Sequence, residues 1–240
     1  MKRRLHVPPE QLARGNPVAL TPSQARYLEA VLRLRPGSPV EVFDGQGRRF
    51  DAVLESAGLQ IAAELPRAAQ SALDVWLAQA IVKGDKLDVV VQKATELGAS
   101  RIVLLDTARS VVKLEDKRAA SRVERLRRIA EEAARQCGRS DVPAIDAPVG
   151  LDGLCERLQP DRLGLLLDPD ERDLRLSDAA RGSSRVCLAV GPEGGFASEE
   201  RDRAASAGML SVSLGKFILR TETAGLAALA VLRHLAGDLG

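Results

Sequence analysis

Two segments near the end of this 240-residue chain carry the residues best placed for chemistry. Gly191-Pro192-Glu193-Gly194-Gly195 follows the apolar run 186–190, and Leu214-Gly215-Lys216-Phe217-Ile218-Leu219-Arg220-Thr221-Glu222-Thr223-Ala224 leads into a helix-like stretch. Each is a strand end that breaks into glycine-rich or capped backbone, exposing peptide N–H and C=O groups to a small ligand. A cofactor pocket is the expected consequence. A phosphate cradle is the sharper rival, but no Lys-Ser or Lys-Thr follows the loop, and the Glu193 carboxylate repels phosphate unless neutralised. A tight turn that holds no ligand is the blander one.

The elements that must position these segments begin at Leu73. Leu73 to Val82 is strand-like, Asp85 to Leu97 a helix closed by Gly98, Arg101 to Leu105 a strand, and Lys117 to Gln136 a long charged helix stopped by Gly138. Runs 163–167, 186–190 and 210–214 read as further strands, and Ser198 as the cap of a helix over 199–207. The last helix, Thr221 to Ala236, is apolar or small until Arg233 and His234, so it must be buried on several sides. This alternation argues for an α/β fold with a parallel sheet covered on both faces, and pattern alone suggests an open doubly wound sheet.

The first third differs. Pro39 to Asp44 and Arg49 to Glu55 flank the turn Gly45-Gln46-Gly47, and Leu59 to Leu65 alternates as a third strand. Thr21-Pro22-Ser23 caps an amphipathic stretch with Tyr27, Leu28, Val31 and Leu32 on one side. A small barrel is expected, joined through a linker at 66–71, so the domains read as 1–70 and 71–240.

A 45% hydrophobic chain of this length can bury a sizeable core. No apolar stretch approaches membrane length and no signal peptide is visible, so a cytoplasmic protein without a membrane partner is expected. Three scattered cysteines, Cys137, Cys155 and Cys187, with two histidines support neither a disulfide framework nor a zinc site, and no metal is expected. Net charge is only +2, but residues 1–70 hold ten Lys or Arg against seven Asp or Glu, a surplus of three that leaves −1 for the rest. Lys2-Arg3-Arg4 and Arg48-Arg49 are the clusters suited to phosphate contact.

Taken in order, several blocks resemble the 16S rRNA (uracil-N3) methyltransferases, a branch of the knotted SPOUT methyltransferases. They are Leu32-Arg33 to Phe43-Asp44-Gly45, Lys83-Gly84-Asp85-Lys86 leading to Gln92-Lys93-Ala94-Thr95-Glu96-Leu97-Gly98, Glu132 to Gln136-Cys137-Gly138-Arg139, and both terminal motifs. The resemblance implies a SPOUT-type parallel sheet with a C-terminal trefoil knot over 71–240 and a small PUA-like RNA-binding β-barrel over 1–70. It implies S-adenosyl-L-methionine held among loops Leu167-Asp168-Pro169, Gly191 to Gly195 and Leu214 to Arg220. Leu167, Leu214 and Leu219 would be apolar walls, while Gly191, Gly194 and Gly195 let adenine approach the main chain; Glu193 tolerates a sulfonium nearby or orients a basic residue.

Methylation of uracil N3 requires the imino proton to leave before or as the nitrogen attacks. Under this reading Arg220 stabilises the developing anion and Glu222 accepts the proton, although a salt bridge for Arg220 and a helix-start role for Glu222, behind a Thr221 cap, are the local alternatives. Family members commonly carry a basic residue where Phe217 stands, so Lys216 would supply any such charge; Phe217 either stacks on a flipped base or packs. The resemblance also implies a homodimer acting on 16S rRNA or the small ribosomal subunit, with Arg3, Arg4, Arg33, Arg48 and Arg139 as RNA contacts. A knotted methyltransferase with another RNA target and a noncatalytic RNA-binding assembly factor are the alternatives.

Overall fold

The computed structural model describes residues 3–68, 71–110 and 116–240, so Lys2 and residues 69–70 of the expected linker lie outside the described residues. Two compact units emerge, Met1–Gln70 with Glu131–Val142, and Ser71–Ala130 with Pro143–Gly240. Residues 131–142 were not expected in the first.

In the first unit, strands β1 (Arg4–His6), β2 (Pro39–Phe43), β3 (Arg49–Glu55) and β4 (Gly58–Leu65) form one sheet in the order β1-β2-β3-β4. The β1–β2 pair is parallel and the others antiparallel. Alternation along β3 sends Phe50, Ala52 and Leu54 inward, where they meet Val40, Val42, Leu28 and Leu59. The β2–β3 turn is held by Asp44, whose Oδ1 accepts from the backbone N–H of Gln46 (2.7 Å) and Arg48 (3.0 Å). Instead of a closed barrel, the described pairings leave β1 and β4 as the ends of the sheet, with Val18 bridging Leu59 beyond β4.

Helix α1 (Pro9–Leu12) precedes α2 (Pro22–Arg26), where Thr21 and Gln24 cap each other reciprocally. The chain continues from α2 into one π-helical turn, Tyr27–Val31. That wider turn carries Val31 off the apolar side, so Leu28 is buried as expected but Val31 is exposed.

The second unit is a six-stranded parallel sheet in the order β10-β8-β9-β5-β6-β7. Its strands are β5 (Asp74–Ala80), β6 (Arg101–Leu105), β7 (Ala144–Val149), β8 (Leu163–Leu167), β9 (Arg185–Val190) and β10 (Leu210–Val212). The helices of this part of the chain are α3 (Lys86–Glu96), α4 (Asp116–Cys137, whose residues from Glu131 on belong to the first unit), α5 (Leu151–Cys155), α6 (Leu176–Ala179), α7 (Ser198–Ser206) and α8 (Thr221–Leu235). Helices α3 and α8 pack together over one face, and α5 and α7 over the other. Spacing explains α3, whose buried residues Leu87, Val90, Val91 and Ala94 form one stripe that ends at Gly98.

Two helix starts differ from expectation. The residue at the cap position of α7 is Ala197, not Ser198: alanine has no side-chain acceptor for the helix N–H groups, and the buried Glu200 carboxylate instead reaches back to accept from Ala197 N and Ala108 N, both at 2.9 Å. The residue capping α8 is Arg220, and Thr221 turns inward as the first helical residue. Near the other end of α8, buried Arg233 donates to the carbonyls of Leu97 (3.0 Å), Gly98 and Leu73 (2.9 Å) and pairs with Asp238. His234 is exposed with its Nδ1 3.0 Å from Leu239 O.

Candidate functional site

The carboxyl ends of β8, β9 and β10 open into a cavity of about 700 Å³. Strand-end residues Leu167, Val190 and Val212 form its floor, and three loops, 168–175, 191–195 and 213–220, form its walls. Of the residues expected to hold a cofactor, Leu167, Gly191, Glu193, Gly195, Leu214, Lys216, Leu219 and Arg220 all line it. Gly194 does not; its carbonyl turns to Arg109, whose Nη1 donates at 2.7 Å.

Glycine is favoured at two points of the 191–195 loop. A Cβ on Gly191 would stand 3.1 Å from the Phe196 ring and 3.3 Å from the Gly195 carbonyl carbon, and Gly195 closes the turn at φ +68° with its N–H on Pro192 O. The loop is tied to α8 from inside. The Thr221 hydroxyl donates to Gly191 O at 2.5 Å and accepts from Nε2 of fully buried Gln79 at 3.0 Å.

The 168–175 loop is held by its own carboxylates. Asp168 Oδ1 accepts from Asp170 N, and Glu171 Oε1 from Asp173 N and Leu174 N. These backbone bonds hold the Glu171 carboxyl below the usual carboxylate range. Asp168, Glu171 and Glu193 therefore share the cavity wall with Arg172, Arg175, Lys216 and Arg220, giving both signs of charge around an apolar floor.

Arg220 is exposed, and among the described residues no carboxylate lies within 4 Å of its guanidinium, although Glu222 is near enough to feel its charge. Glu222 stands apart from the cavity lining. Its Oε1 lies 3.1 Å from Lys86 Nζ, and the carboxyl is held below the usual range, first by its own backbone N–H and then by Lys86. Both facts weaken it as a proton acceptor. Phe217 and Ile218 are 85% and 82% exposed, which leaves Phe217 without the packing role weighed from sequence.

The arginines expected at RNA divide sharply. Arg4 is a correction: it is buried at 4% exposure, donating to Glu41 (2.8 Å), Arg139 O (2.9 Å), Ala134 O and Ser140 Oγ, so it braces its own unit and presents no free charge. Arg3 and Arg33 are exposed. Arg48 is exposed but paired with Glu64 at 2.7 Å, and Arg139 is paired with Asp141 at 2.5 Å. The sequence pattern gives no role to Lys86, Arg109 or Gln79, although Lys86 stands in one of the family-like blocks, and it reads the Thr221 hydroxyl as a helix cap where the structure turns it to Gly191 O.

No group of His, Cys, Asp or Glu among the described residues could hold a metal ion, and no described helix is long and apolar enough to cross a membrane. The cysteines are free, and burial pushes the Cys187 thiol up to about 12.

Comparison with known proteins agrees with this geometry. A family described as an RNA methyltransferase domain matches residues 69–233, and one described as an RNA methyltransferase PUA domain matches residues 20–62. The chain is 35% identical to ribosomal RNA small subunit methyltransferase E of Synechocystis, over 98% of this chain and 78% of the relative. To the Bacillus subtilis protein of that name it is 30% identical, over 95% and 96%. A Neisseria gonorrhoeae protein of the same name, solved bound to S-adenosyl methionine, superposes with a TM-score of 0.85 at 32% identity, covering 98% of both chains. A Legionella pneumophila methyltransferase solved with bound SAM gives 0.88 at 33% identity, again over 98% of both. On cavity, sheet order and full-length similarity together, the chain belongs to the ribosomal RNA small subunit methyltransferase E family.

Proposed function

We propose that this protein transfers the methyl group of S-adenosylmethionine to N3 of a uridine in the 16S rRNA of the small ribosomal subunit. The observation that carries the reading is the meeting of three loops, 168–175, 191–195 and 213–220, around one apolar-floored cavity with charges of both signs. Those residues fit a cofactor that is at once an aromatic nucleoside, a cation and an amino acid. Leu167, Leu214 and Leu219 offer apolar surface to the adenine, glycine backbone at 191 and 195 offers close approach, Glu193 suits a positive centre, and Lys216 or Arg220 suits a carboxylate. The cofactor supplies an electrophilic methyl group. Arg220, exposed and with no ion pair within 4 Å among the described residues, donates to a uracil carbonyl and stabilises the anion left when N3 gives its proton to solvent. Exposed Phe217 offers a face for an extruded base to stack on.

The same reading includes a C-terminal trefoil knot, a homodimer, RNA contact through the PUA domain by Arg3, Arg33, Arg48 and Arg139, and a cytoplasmic site of action without a resident metal. The exposed apolar run 217–219 and the small-residue surface of α8 support the dimer. The test is methyl transfer to 30S particles from a strain lacking the modification, followed by mass mapping of the nucleoside. Labelled 3-methyluridine is expected; methyl on another atom or another RNA would reject the substrate assignment, and binding without turnover would reject the enzyme.

A further inference from the structure

Lys86 opens α3, far from the loops in sequence, yet its Nζ stands 3.1 Å from Glu222 Oε1 and 3.5 Å from Glu193 Oε1. The two carboxylates belong to different elements. Glu193 lies in the loop that lines the cavity, and Glu222 in the first turn of α8, two residues after Arg220. The other Glu222 oxygen, Oε2, is buried without a hydrogen-bond partner among the described residues, and the desolvation of that carboxylate is offset by its own backbone N–H and by Lys86, the one cation that bonds to it.

Stability does not account for this bridge. The three side chains are 39%, 48% and 21% exposed, and ion pairs in such settings contribute little to folding because solvent screens them. Geometry accounts for it better. The 191–195 loop is held on one side of its turn by Lys86 through Glu193 and on the next residue by Arg109 through the Gly194 carbonyl, while Thr221 closes the same loop onto α8. Lys86 is the one contact of these that reaches both the loop and α8 from a third element, and Arg220 is the residue at the start of α8, two before the anchor Glu222.

Resting on the methyl-transfer reading above, we propose that Lys86 is a positioning residue: its ammonium pins the Glu193 loop to the first turn of α8 and so fixes Arg220 against the cofactor cavity. Lys86 does not line the cavity itself and so acts through the two glutamates.

The test compares wild type, Lys86→Met and Lys86→Arg in methyl transfer to unmodified 30S particles, with thermal melts of the same proteins. Small misplacements of catalytic groups cost on the order of 10²-fold, so Lys86→Met is expected to lower kcat about 10- to 100-fold with KM for the particle changed less than about threefold. Melting should move by no more than roughly 2 °C, in line with an exposed pair, and Lys86→Arg, which can still bridge two carboxylates, should recover most of kcat. Wild-type kcat in Lys86→Met overturns the proposal, as does a kcat loss that arginine leaves unrescued or that a large fall in melting temperature accompanies. A wild-type protein that transfers no methyl at all sinks the functional reading instead, and that control separates the two failures.

Discussion

Thr221→Val offers the sharpest check on how the cavity is built. The side chain is nearly fully buried, and its hydroxyl serves two partners, donating to Gly191 O at 2.5 Å and accepting from Gln79 Nε2 at 3.0 Å. Valine keeps the shape and removes both bonds. Gly191 O then loses this donor, and Gln79 Nε2 keeps only a 3.3 Å bond to Ala80 O. At about 1–3 kcal/mol for the Gly191 carbonyl and about 0.5–1.5 kcal/mol for the lost Gln79 bond, the loss should total roughly 1.5–4.5 kcal/mol. For a chain of this size that is a fall in melting temperature of roughly 3–18 °C. Because Gly191 lines the cavity, donor affinity measured by calorimetry should fall with stability. Thr221→Ser keeps the hydroxyl and is the control. A double-mutant cycle with Gln79→Leu should return a coupling of about 0.5–3 kcal/mol. If Thr221→Val melts within about 2 °C of wild type and binds donor equally well, the reasoning that ties loop to helix through this hydroxyl is wrong.

Three further outcomes are expected. Replacing Arg220 by Gln should cut kcat about 10²- to 10³-fold, as loss of an anion-stabilising donor does, and a turnover within about twofold of wild type would remove it from the chemistry. Arg233→Met leaves the Leu97 and Gly98 carbonyls without this donor and leaves Leu73 O and Asp238 only the single Ser71 hydroxyl to share, so urea unfolding should report a loss of roughly 3–5 kcal/mol; a change under about 1 kcal/mol would contradict that. Burial alone would raise the Asp74 carboxyl, but hydrogen bonds from Arg162 and Ser100 and the charges of Arg162 and Arg185 outweigh it and hold the group below 3.8. Its contribution is therefore present above that value and lost as pH falls through the lower folded value, so acid unfolding of wild type should steepen below about pH 4 and that part of the slope should vanish in Asp74→Asn.

What could be read in advance followed from where apolar residues run together. Arg101–Leu105 and Leu163–Leu167 are strands with the bounds expected, because a strand buried on both faces needs an unbroken apolar run and little else has one. Strand β7 was missed for the converse reason: at the sheet edge only Ile145 is fully buried, so Ala144–Val149 carries no such run. The cavity-lining loops were legible through their glycines and their place after strands. Caps were not, since Ser198 and Thr221 have the right residue types, while the acceptor that α7 uses is Glu200 and the Thr221 hydroxyl is drawn to Gly191. Arg4 misled for a related reason. A run of basic residues looks solvated, and only the parallel register that sets Arg4 beside Glu41 shows that its charge is met inside.

The order β10-β8-β9-β5-β6-β7 has a consequence for how the chain leaves the ribosome that made it. Half of the sheet, β5 to β7, is complete once residue 149 has emerged, but the flank of β5 then stays open until β9 slides in between β5 and β8. An apolar strand with unpaired peptide groups on one side is a template for pairing with other chains. A message truncated between β7 and β9 would therefore yield a sticky fragment instead of a weak enzyme, and the final stretch of translation both seals that flank and builds every wall of the cavity.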